Sequence, residues 1–536
     1  MPIEWLQREV RAQCPVCNAD GPKSAVLTTS HVILGDPGIT LLRCRDCGAA
    51  FLDDLTPPDY GGETPQMLDY YVEQGAGIDL VVAPLLRVPP TSVRRYLEIG
   101  CSYPFALDFS RFVFGWEVVG VDPSPLAVKG AEALDVPVVH AYFDTDLDLG
   151  AEPFDLVFCS EILEHVADPH SLLSSIRKRL SSDGLIVLST PNAEIVREET
   201  EEGMLARALS PGFHLILYNR AALEQVLAMA GFSSIVIEES PETLRAFAAC
   251  APAPIERLLP SDPVAAHALI RTYLGVRSKQ VSPSSALACG LAYRHFKECV
   301  NAGLYDEAID GRESLARIYR EGYELDFHEP TTVTTAPHLP FNLSSALFFS
   351  GILELNGLRR PEKAAACFAA AIDVAERIHA SACPFALHDG ETEGLLRQSL
   401  KHLPMALAAT DPDRAVREVE LLELMDRAKL PDPLLKETRT QTFVRLVHAG
   451  AYRAAEQLVP RIMMQIHQDG DSLTSLDPLY CLGMLALQTG RADEAAEWFH
   501  RVSLTAERSG AEGRQELLRS ARHHELLSRE QAAAAG

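Results

Sequence analysis

From about Val93 to Glu238 the chain alternates short apolar runs with stretches whose apolar residues recur at helical spacing. Arg95-Tyr-Leu-Glu-Ile-Gly100 predicts a strand closed by an acid and a glycine, and a helix follows over Ala106–Phe114. Glu117-Val-Val-Gly-Val-Asp122 predicts a second strand, Ser124–Leu134 a helix, Val136–His140 a third strand and Phe154–Cys159 a fourth. Helices over Pro169–Leu180 and Arg220–Ala230 each lead into a strand, Gly184–Ser189 and Ser233–Glu238. Such alternation predicts an α/β domain with a parallel, doubly wound sheet, whose ligands sit at the carboxyl ends of the strands.

The flanks follow other periods. Ahead of this region, Ala25–Ile33 and Ile39–Leu42 read as short strands around a turn at Gly35-Asp36-Pro37-Gly38. Beyond breaks at Ala251–Pro254, Pro260–Pro263 and Ser282–Ser285 the pattern is almost wholly helical, and the tail Gln531–Gly536 is expected to fray. There Gly351 is followed by Ala364, Phe368 and Ala371, and Gly483 by Ala495 and Phe499, with weaker copies centred on Ala308, Ala415 and Ala455. A small residue lets two helices approach closely, and a large apolar residue one turn on fills the gap. The pattern resembles tetratricopeptide-type (TPR-like) repeats at a longer, less regular period, which implies an all-α array with a concave surface for a peptide or protein partner. A scaffold or self-association domain is the alternative.

Four of the twelve cysteines stand in two pairs, Cys14-Pro-Val-Cys17 and Cys44-Arg-Asp-Cys47-Gly48, separated by 26 residues. Two residues between cysteines let a tight turn aim both sulfurs at one centre, and two such turns supply the four thiolates of tetrahedral zinc. Four thiolates leave no open coordination position, so the zinc is expected to be structural and to supply folding energy to a small ribbon. The other eight cysteines are scattered singly, the usage of a reducing compartment, which points to the cytoplasm. The amino-terminal MPIEWLQREVRAQ has no apolar signal core, and no run approaches 18 apolar residues, so no membrane span is expected. At 536 residues the chain needs more than one core, and its net charge of −26 disfavours nucleic acid as the main partner.

The residues at the predicted strand ends carry the chemistry. Glu98 can hold an ammonium group, Gly100 lets a backbone approach a ligand, and Asp122 is placed to accept from a ribose diol. The stretch Gly100-Cys-Ser102-Tyr-Pro104-Phe lacks the later glycines of a dinucleotide fingerprint. Tyr96-Leu-Glu-Ile-Gly100, Val-Gly-Val-Asp122-Pro-Ser124, Phe154-Asp-Leu-Val-Phe-Cys-Ser160-Glu161-Ile-Leu-Glu164-His165-Val-Ala-Asp168-Pro169 and Ser189-Thr-Pro191-Asn192 follow one another over about 160 residues. In order and spacing they resemble the class I S-adenosylmethionine-dependent methyltransferases, nearest the small-molecule and glycan branch that often begins with a four-cysteine zinc domain. The resemblance implies S-adenosyl-L-methionine as cofactor, with Asp122 and Pro123 at its ribose, Glu98, Gly100, Cys101 and Ser102 around its methionine moiety, and Ser160 and Glu161 lining the pocket. It implies a Rossmann-like methyltransferase domain at 61–255, behind a zinc ribbon at 1–60 and ahead of the helical domain at 256–536.

Methyl transfer from a sulfonium is an in-line displacement with a neutral leaving group, so positioning supplies much of the rate and a base helps with a hydroxyl or acidic C–H acceptor. His165, His214 and Glu164 are the catalytic candidates that topology favours; helix-start and loop-anchoring roles are the plainer readings of all three. The connection Ala193–Phe213, with Glu194, Glu198, Glu199, Glu201 and Glu202, is expected to cross the pocket as a lid, and Tyr70 or Tyr71 to approach the cofactor; a solvated acidic helix and a core aromatic are the plainer readings. The family loop carries glycines where this chain has Ser102 and Pro104, and a left-handed backbone at Ser102 would cost about 1–2 kcal/mol. Two rival functions follow: a binding scaffold with a decayed methyltransferase domain, and a protein methyltransferase that docks its substrate on the repeats.

Overall fold

The computed structural model describes residues 3–31, 35–58, 60, 65–74, 78–282, 285–330, 338–382, 390–425, 430–470, 472–508 and 515–535. The chain divides into two compact units, Met1–Arg294 and His295–Gly536. The first therefore holds the four-cysteine region together with the α/β region, and runs on beyond residue 255. Among the described residues no helix is long and apolar enough to cross a membrane.

Seven strands make the central sheet of the first unit: β5 (Arg95–Ile99), β6 (Glu117–Val121), β7 (Val138–Val139), β8 (Phe154–Ser160), β9 (Leu180–Pro191), β11 (Ser234–Glu239) and β12 (Thr243–Ala249), in the order β11-β12-β9-β8-β5-β6-β7. β5 pairs in parallel with both β6 and β8, and the chain winds outward from it in both directions. The crevice between the carboxyl ends of β5 and β8 is thus the topological switch point where such sheets take ligands. The expected wholly parallel sheet is corrected at one edge. β12 runs antiparallel to β9 and β11, so it enters by a tight turn rather than a helical crossover.

Helices α3 (Phe105–Phe114), α4 (Pro125–Leu134), α5 (Pro169–Arg179) and α7 (Arg220–Met229) follow β5, β6, β8 and the second half of the sheet. Three of them start where the sequence supplies a side-chain cap: Ser124, Asp168 and Asn219 accept from the N–H groups of Ala127, Ser171 and Ala222. The later helix α9 (Pro263–Arg277) belongs to the same unit. Its Arg277 and Tyr273 donate to the buried carboxylate of Asp108 on α3, at 2.8 and 2.7 Å.

The amino-terminal sheet is built from β1 (Ile3–Gln13), β2 (Asp20–His31), β3 (Gly35–Arg43) and β4 (Ala50–Leu52), all antiparallel. Residues 35–38, expected as a turn, lie in β3 and continue the ladder, with Gly35 opposite His31. The fifth strand, β10 (Ile216–Leu217), comes from the α/β region and pairs antiparallel with β4. Backbone pairing therefore fuses the two regions of this unit.

The second unit is helical throughout its described residues. Among its helices, Leu343–Ile352 packs with Pro361–Ala382, Asp432–His448 with Tyr452–Asp469, and Leu476–Gln488 with Ala492–Arg508. Gly351 lies against the ring of Phe368, and Gly483 against that of Phe499.

Candidate functional site

Glu98 ends β5 almost fully buried, and its Oε2 has no hydrogen-bond partner. Burial raises its pKa to about 8, the Tyr96 hydroxyl and the Leu107 N–H pulling it down and the neighbouring Asp122 carboxylate pushing it up. An unpaired buried carboxyl oxygen is costly unless a donor or cation comes to it. Asp122, just past β6, accepts from the N–H of Ser102 through Oδ2 and from that of Ser124 through Oδ1, both at 2.7 Å. A carboxylate offers about four lone-pair sites, so two remain for a diol.

The loop between β5 and α3 meets the condition weighed for Ser102. Gly100 has φ 73° and Ser102 φ 45°, so both are left-handed. A Cβ at Gly100 would run into the side chain of Ile162. Pro104 (φ −78°, ψ 55°) sits at the centre of an inverse γ-turn closed by Phe105 N–H to Tyr103 O at 2.7 Å, and it needs no donor of its own as the residue before α3. The Cys101 sulfur packs towards Gly120 in the sheet, so only its backbone faces the loop. The Pro123 carbonyl accepts from His140 Nε2 at 2.7 Å. These residues fit the methionine and ribose ends of S-adenosylmethionine: an unpaired buried carboxyl and a carboxylate with spare acceptors.

At the end of β8, Ser160 Oγ and Ser189 Oγ lie 2.7 Å apart, and Ser189 donates to Glu161 Oε1 at 2.7 Å. Glu161 is left-handed, at φ 53°. Strained non-glycine backbone on both sides of one crevice is the kind of outlier that collects at functional sites.

Glu164, His165 and His214 come together beside it. Glu164 is fully buried with neither carboxyl oxygen paired, and burial followed by the nearby Glu161 charge pushes its pKa well above the carboxylate range. His165 Nδ1 lies 3.0 Å from the Phe213 carbonyl and 2.7 Å from Tyr60 Oη. A carbonyl only accepts, so the Phe213 contact favours a proton on Nδ1 with the lone pair on Nε2, whereas the Tyr60 hydroxyl serves either tautomer. The same argument applies to His214, whose Nδ1 donates to Ala208 O at 2.7 Å. The two rings meet edge to face, with centroids 4.8 Å apart. Burial, and then His214, lower the His165 pKa to about 3. Burial lowers the His214 pKa too, and Nε2 of His165 at 3.8 Å from Glu164 Oε1 marks proximity rather than an ion pair. The ligand-type atoms of these three residues lie within 4.8 Å of one another, a spacing that a divalent cation could also share.

The connection from β9 to α7 covers this cluster. It holds a short turn at Ala193–Ile195, helix α6 (Glu202–Leu209) and β10, and Leu215 N–H donates to the Glu164 carbonyl at 2.7 Å. Tyr60 reaches the site from the linker behind the amino-terminal sheet, a contact that sequence reasoning missed and no local signal announces. Tyr70 is half-buried and Tyr71 exposed, each edge-on to the other.

The four paired cysteines converge as expected. Cys14 and Cys47 sulfurs are 3.7 Å apart, as are those of Cys17 and Cys44, and all four lie within 4.8 Å. Zinc–sulfur bonds of about 2.3 Å in a tetrahedron put sulfurs about 3.8 Å apart, so the cluster fits zinc. The two turns match bond for bond: Asn18 and Gly48, both left-handed, donate to Cys14 O and Cys44 O at 3.0 Å.

Comparison with known proteins agrees with this geometry. Residues 73–237 match a family model described as a methyltransferase domain. A ubiquinone biosynthesis O-methyltransferase of Cereibacter sphaeroides is 37% identical over 140 residues, covering 24% of this chain and 53% of the relative. A tRNA U34 carboxymethyltransferase of Sulfurimonas denitrificans is 30% identical over 159 residues, covering 28% and 52%. The chain thus spans about half the length of these relatives. Among solved structures, the glycopeptide N-methyltransferase MtfA complexed with S-adenosylmethionine is similar at 20% identity, covering 35% of this chain and 100% of that one, with a TM-score of 0.26. Residues 73–237 of this chain are a class I S-adenosylmethionine-dependent methyltransferase domain.

Proposed function

We propose that the chain transfers a methyl group from S-adenosylmethionine to a hydroxyl of a small molecule or glycan. The observation that carries this reading is the unpaired, buried carboxyl oxygen of Glu98 beside Asp122 at the switch point of the sheet. When bound, S-adenosylmethionine supplies an electrophilic methyl on a cationic sulfur that leaves as a neutral thioether. Glu98 and the Gly100–Ser102 backbone hold its methionine end, Asp122 and Pro123 its ribose, and Ser160 and Glu161 line the reacting end.

On the acceptor side, His165 offers a neutral Nε2 lone pair whose tautomer is set by the Phe213 carbonyl. A base this weak suffices. An oxygen that has just received a methyl is a strong acid, so its proton needs only a nearby acceptor. His214 packs His165 in place, and the neutral Glu164 keeps uncompensated negative charge out of the chamber. The likeness to enzymes named for ubiquinone O-methylation supports an oxygen acceptor.

The four-cysteine ribbon, residues 1–60, takes a structural zinc in this reading, and one zinc per chain should be lost in Cys47→Ser. The Gly351–Phe368 and Gly483–Phe499 contacts support TPR-like helical hairpins in the carboxyl-terminal domain, whose concave face suits a protein partner. Calorimetric titration of the zinc-loaded chain with S-adenosylmethionine and S-adenosylhomocysteine tests the function, with Asp122→Ala as control. Micromolar binding lost in the variant supports it. No heat up to millimolar ligand overturns it in favour of a scaffold.

A further inference from the structure

The connection 192–219 carries His214, the Phe213 carbonyl and the Ala208 carbonyl, and so sets both imidazoles of the cluster. Both of its ends are also tied to the zinc ribbon. At its start, Arg43 on β3 reaches across 150 residues of sequence, and its Nη2 donates to the carbonyls of Ala193 at 3.1 Å and Val196 at 3.2 Å. The Ala193 carbonyl also accepts from the Val196 N–H at 3.2 Å, which closes the turn Ala193–Ile195, so Arg43 clasps this turn at both ends. At the far end β10 pairs with β4, Leu52 N–H donates to Leu215 O at 2.9 Å, and Gly48 packs against the Asn219 side chain. Between the two ends the connection walls a cleft of about 660 Å³, lined by Asn192, Ile195, Arg197, Thr200 and Met204 and closed by the β11–β12 turn at Ser240.

We propose that Arg43 is a positioning residue for methyl transfer: it hangs the start of this connection from the zinc ribbon, so that the ribbon, one residue before Cys44, holds the His165–His214 pair in register. The proposal rests on the acceptor-side reading given above. Arginine suits the task because a rigid, permanently charged fork can serve two carbonyls from a half-buried place. Lysine at 43 keeps the charge and a donor. Methionine keeps the stem alone and leaves the Val196 carbonyl without its side-chain donor.

The test uses the full zinc-loaded chain with Arg43→Met and Arg43→Lys. Hydrogen exchange is followed by mass spectrometry, the histidine rings by nitrogen-15 spectra, and the His165 signal is identified by its loss in His165→Asn. With two side-chain hydrogen bonds gone, Arg43→Met should exchange about tenfold faster over 193–214, while the amides of β2 and β3 and the zinc content stay at wild type. The His165 signal should shift from a single Nδ1–H tautomer to a mixture, and Arg43→Lys should recover both properties in part. Unchanged protection and tautomer would overturn the proposal. So would equal loosening of the ribbon strands with zinc loss, since Arg43 would then be structural alone. S-adenosylmethionine titration of the same samples should stay within about twofold of wild type. Absence of binding in every sample would sink the methyl-transfer reading and leave the exchange result to judge Arg43 by itself.

Discussion

The backbone N–H of Ser102 donates to Oδ2 of Asp122 at 2.7 Å, which ties the loop after β5 to the end of β6. With Ser124 N–H on Oδ1, one carboxylate braces two loops while facing the cofactor side. An amide cannot reproduce this, because its NH2 would stand opposite a backbone donor on one side or the other. Asp122→Asn should therefore weaken S-adenosylmethionine binding by about tenfold to a hundredfold, the loss of charged hydrogen bonds at about 1.5–3 kcal/mol. Calorimetry checks the affinity and circular dichroism the fold. Binding equal to wild type would show that neither bond shapes the site.

Ser102 holds its bond from a left-handed backbone, φ 45°, that glycine adopts freely. Ser102→Gly removes about 1–2 kcal/mol of strain and returns about 0.4–1 kcal/mol through a more flexible unfolded chain. The net expectation is a slightly higher Tm and equal or up to about tenfold tighter cofactor binding. Ser102→Ala, which keeps the strain, should gain neither. Weaker binding in the glycine variant would mean that the Ser102 hydroxyl itself contacts the ligand.

If Glu98 holds the cofactor as proposed, binding should be a proton-linked event. Its folded pKa, raised to about 8, lies above the ordinary glutamate value, so protonation favours the fold. That contribution is complete below the unfolded pKa of about 4.3 and is lost as the pH rises through the folded value. A cation brought to the unpaired oxygen lowers the pKa again. Binding near pH 7 should release a proton, the apparent affinity should rise from pH 6 towards 8, and the calorimetric enthalpy should differ between phosphate and Tris. Glu98→Gln should erase the buffer dependence. A buffer-independent enthalpy in the wild type would mean that no proton is exchanged on binding, and a dependence that survives in Glu98→Gln would place the titrating group elsewhere.

The strands and helices around this site were legible because their signals are local. β5, β6 and β8 are short apolar runs buried on both faces, and Ser124, Asp168 and Asn219 mark helix starts. β12 was missed because Thr243-Leu-Arg-Ala-Phe-Ala-Ala249 is alanine-rich with little β propensity, and only its place between β9 and β11 makes it a strand. β1 was missed because Glu4, Arg8, Glu9 and Arg11 give an edge strand too polar to stand out. The Glu164–His165–His214 cluster was half legible. Glu164 and His165 lie in one motif, but Tyr60 and the Phe213 carbonyl reach His165 across 105 and 48 residues. Arg43 meets Ala193 across 150. Contacts set by two folded regions meeting leave no period in a single chain.

The glycine–phenylalanine spacing in the carboxyl-terminal half was, by contrast, readable and has a steric consequence. A Cβ on Gly483 would lie 2.7 Å from Phe499 Cε1, and one on Gly351 2.5 Å from Phe368 Cε1. Both rings are fully buried and cannot swing away. Alanine gains about 1 kcal/mol of helix propensity over glycine, while overpacking costs about 1–3 kcal/mol. Gly483→Ala should therefore destabilise the second unit by up to about 2 kcal/mol in spite of its better helix former. Phe499→Leu creates a gap of its own, but in the double variant the new methyl has room. The double variant should lose less than the sum of the two singles, a coupling measurable by denaturant unfolding of the full chain with the first unit's transition as internal reference. Additive losses would mean that the two helices separate to admit the methyl. The close approach at Gly483 would then be a consequence of the packing and not its cause.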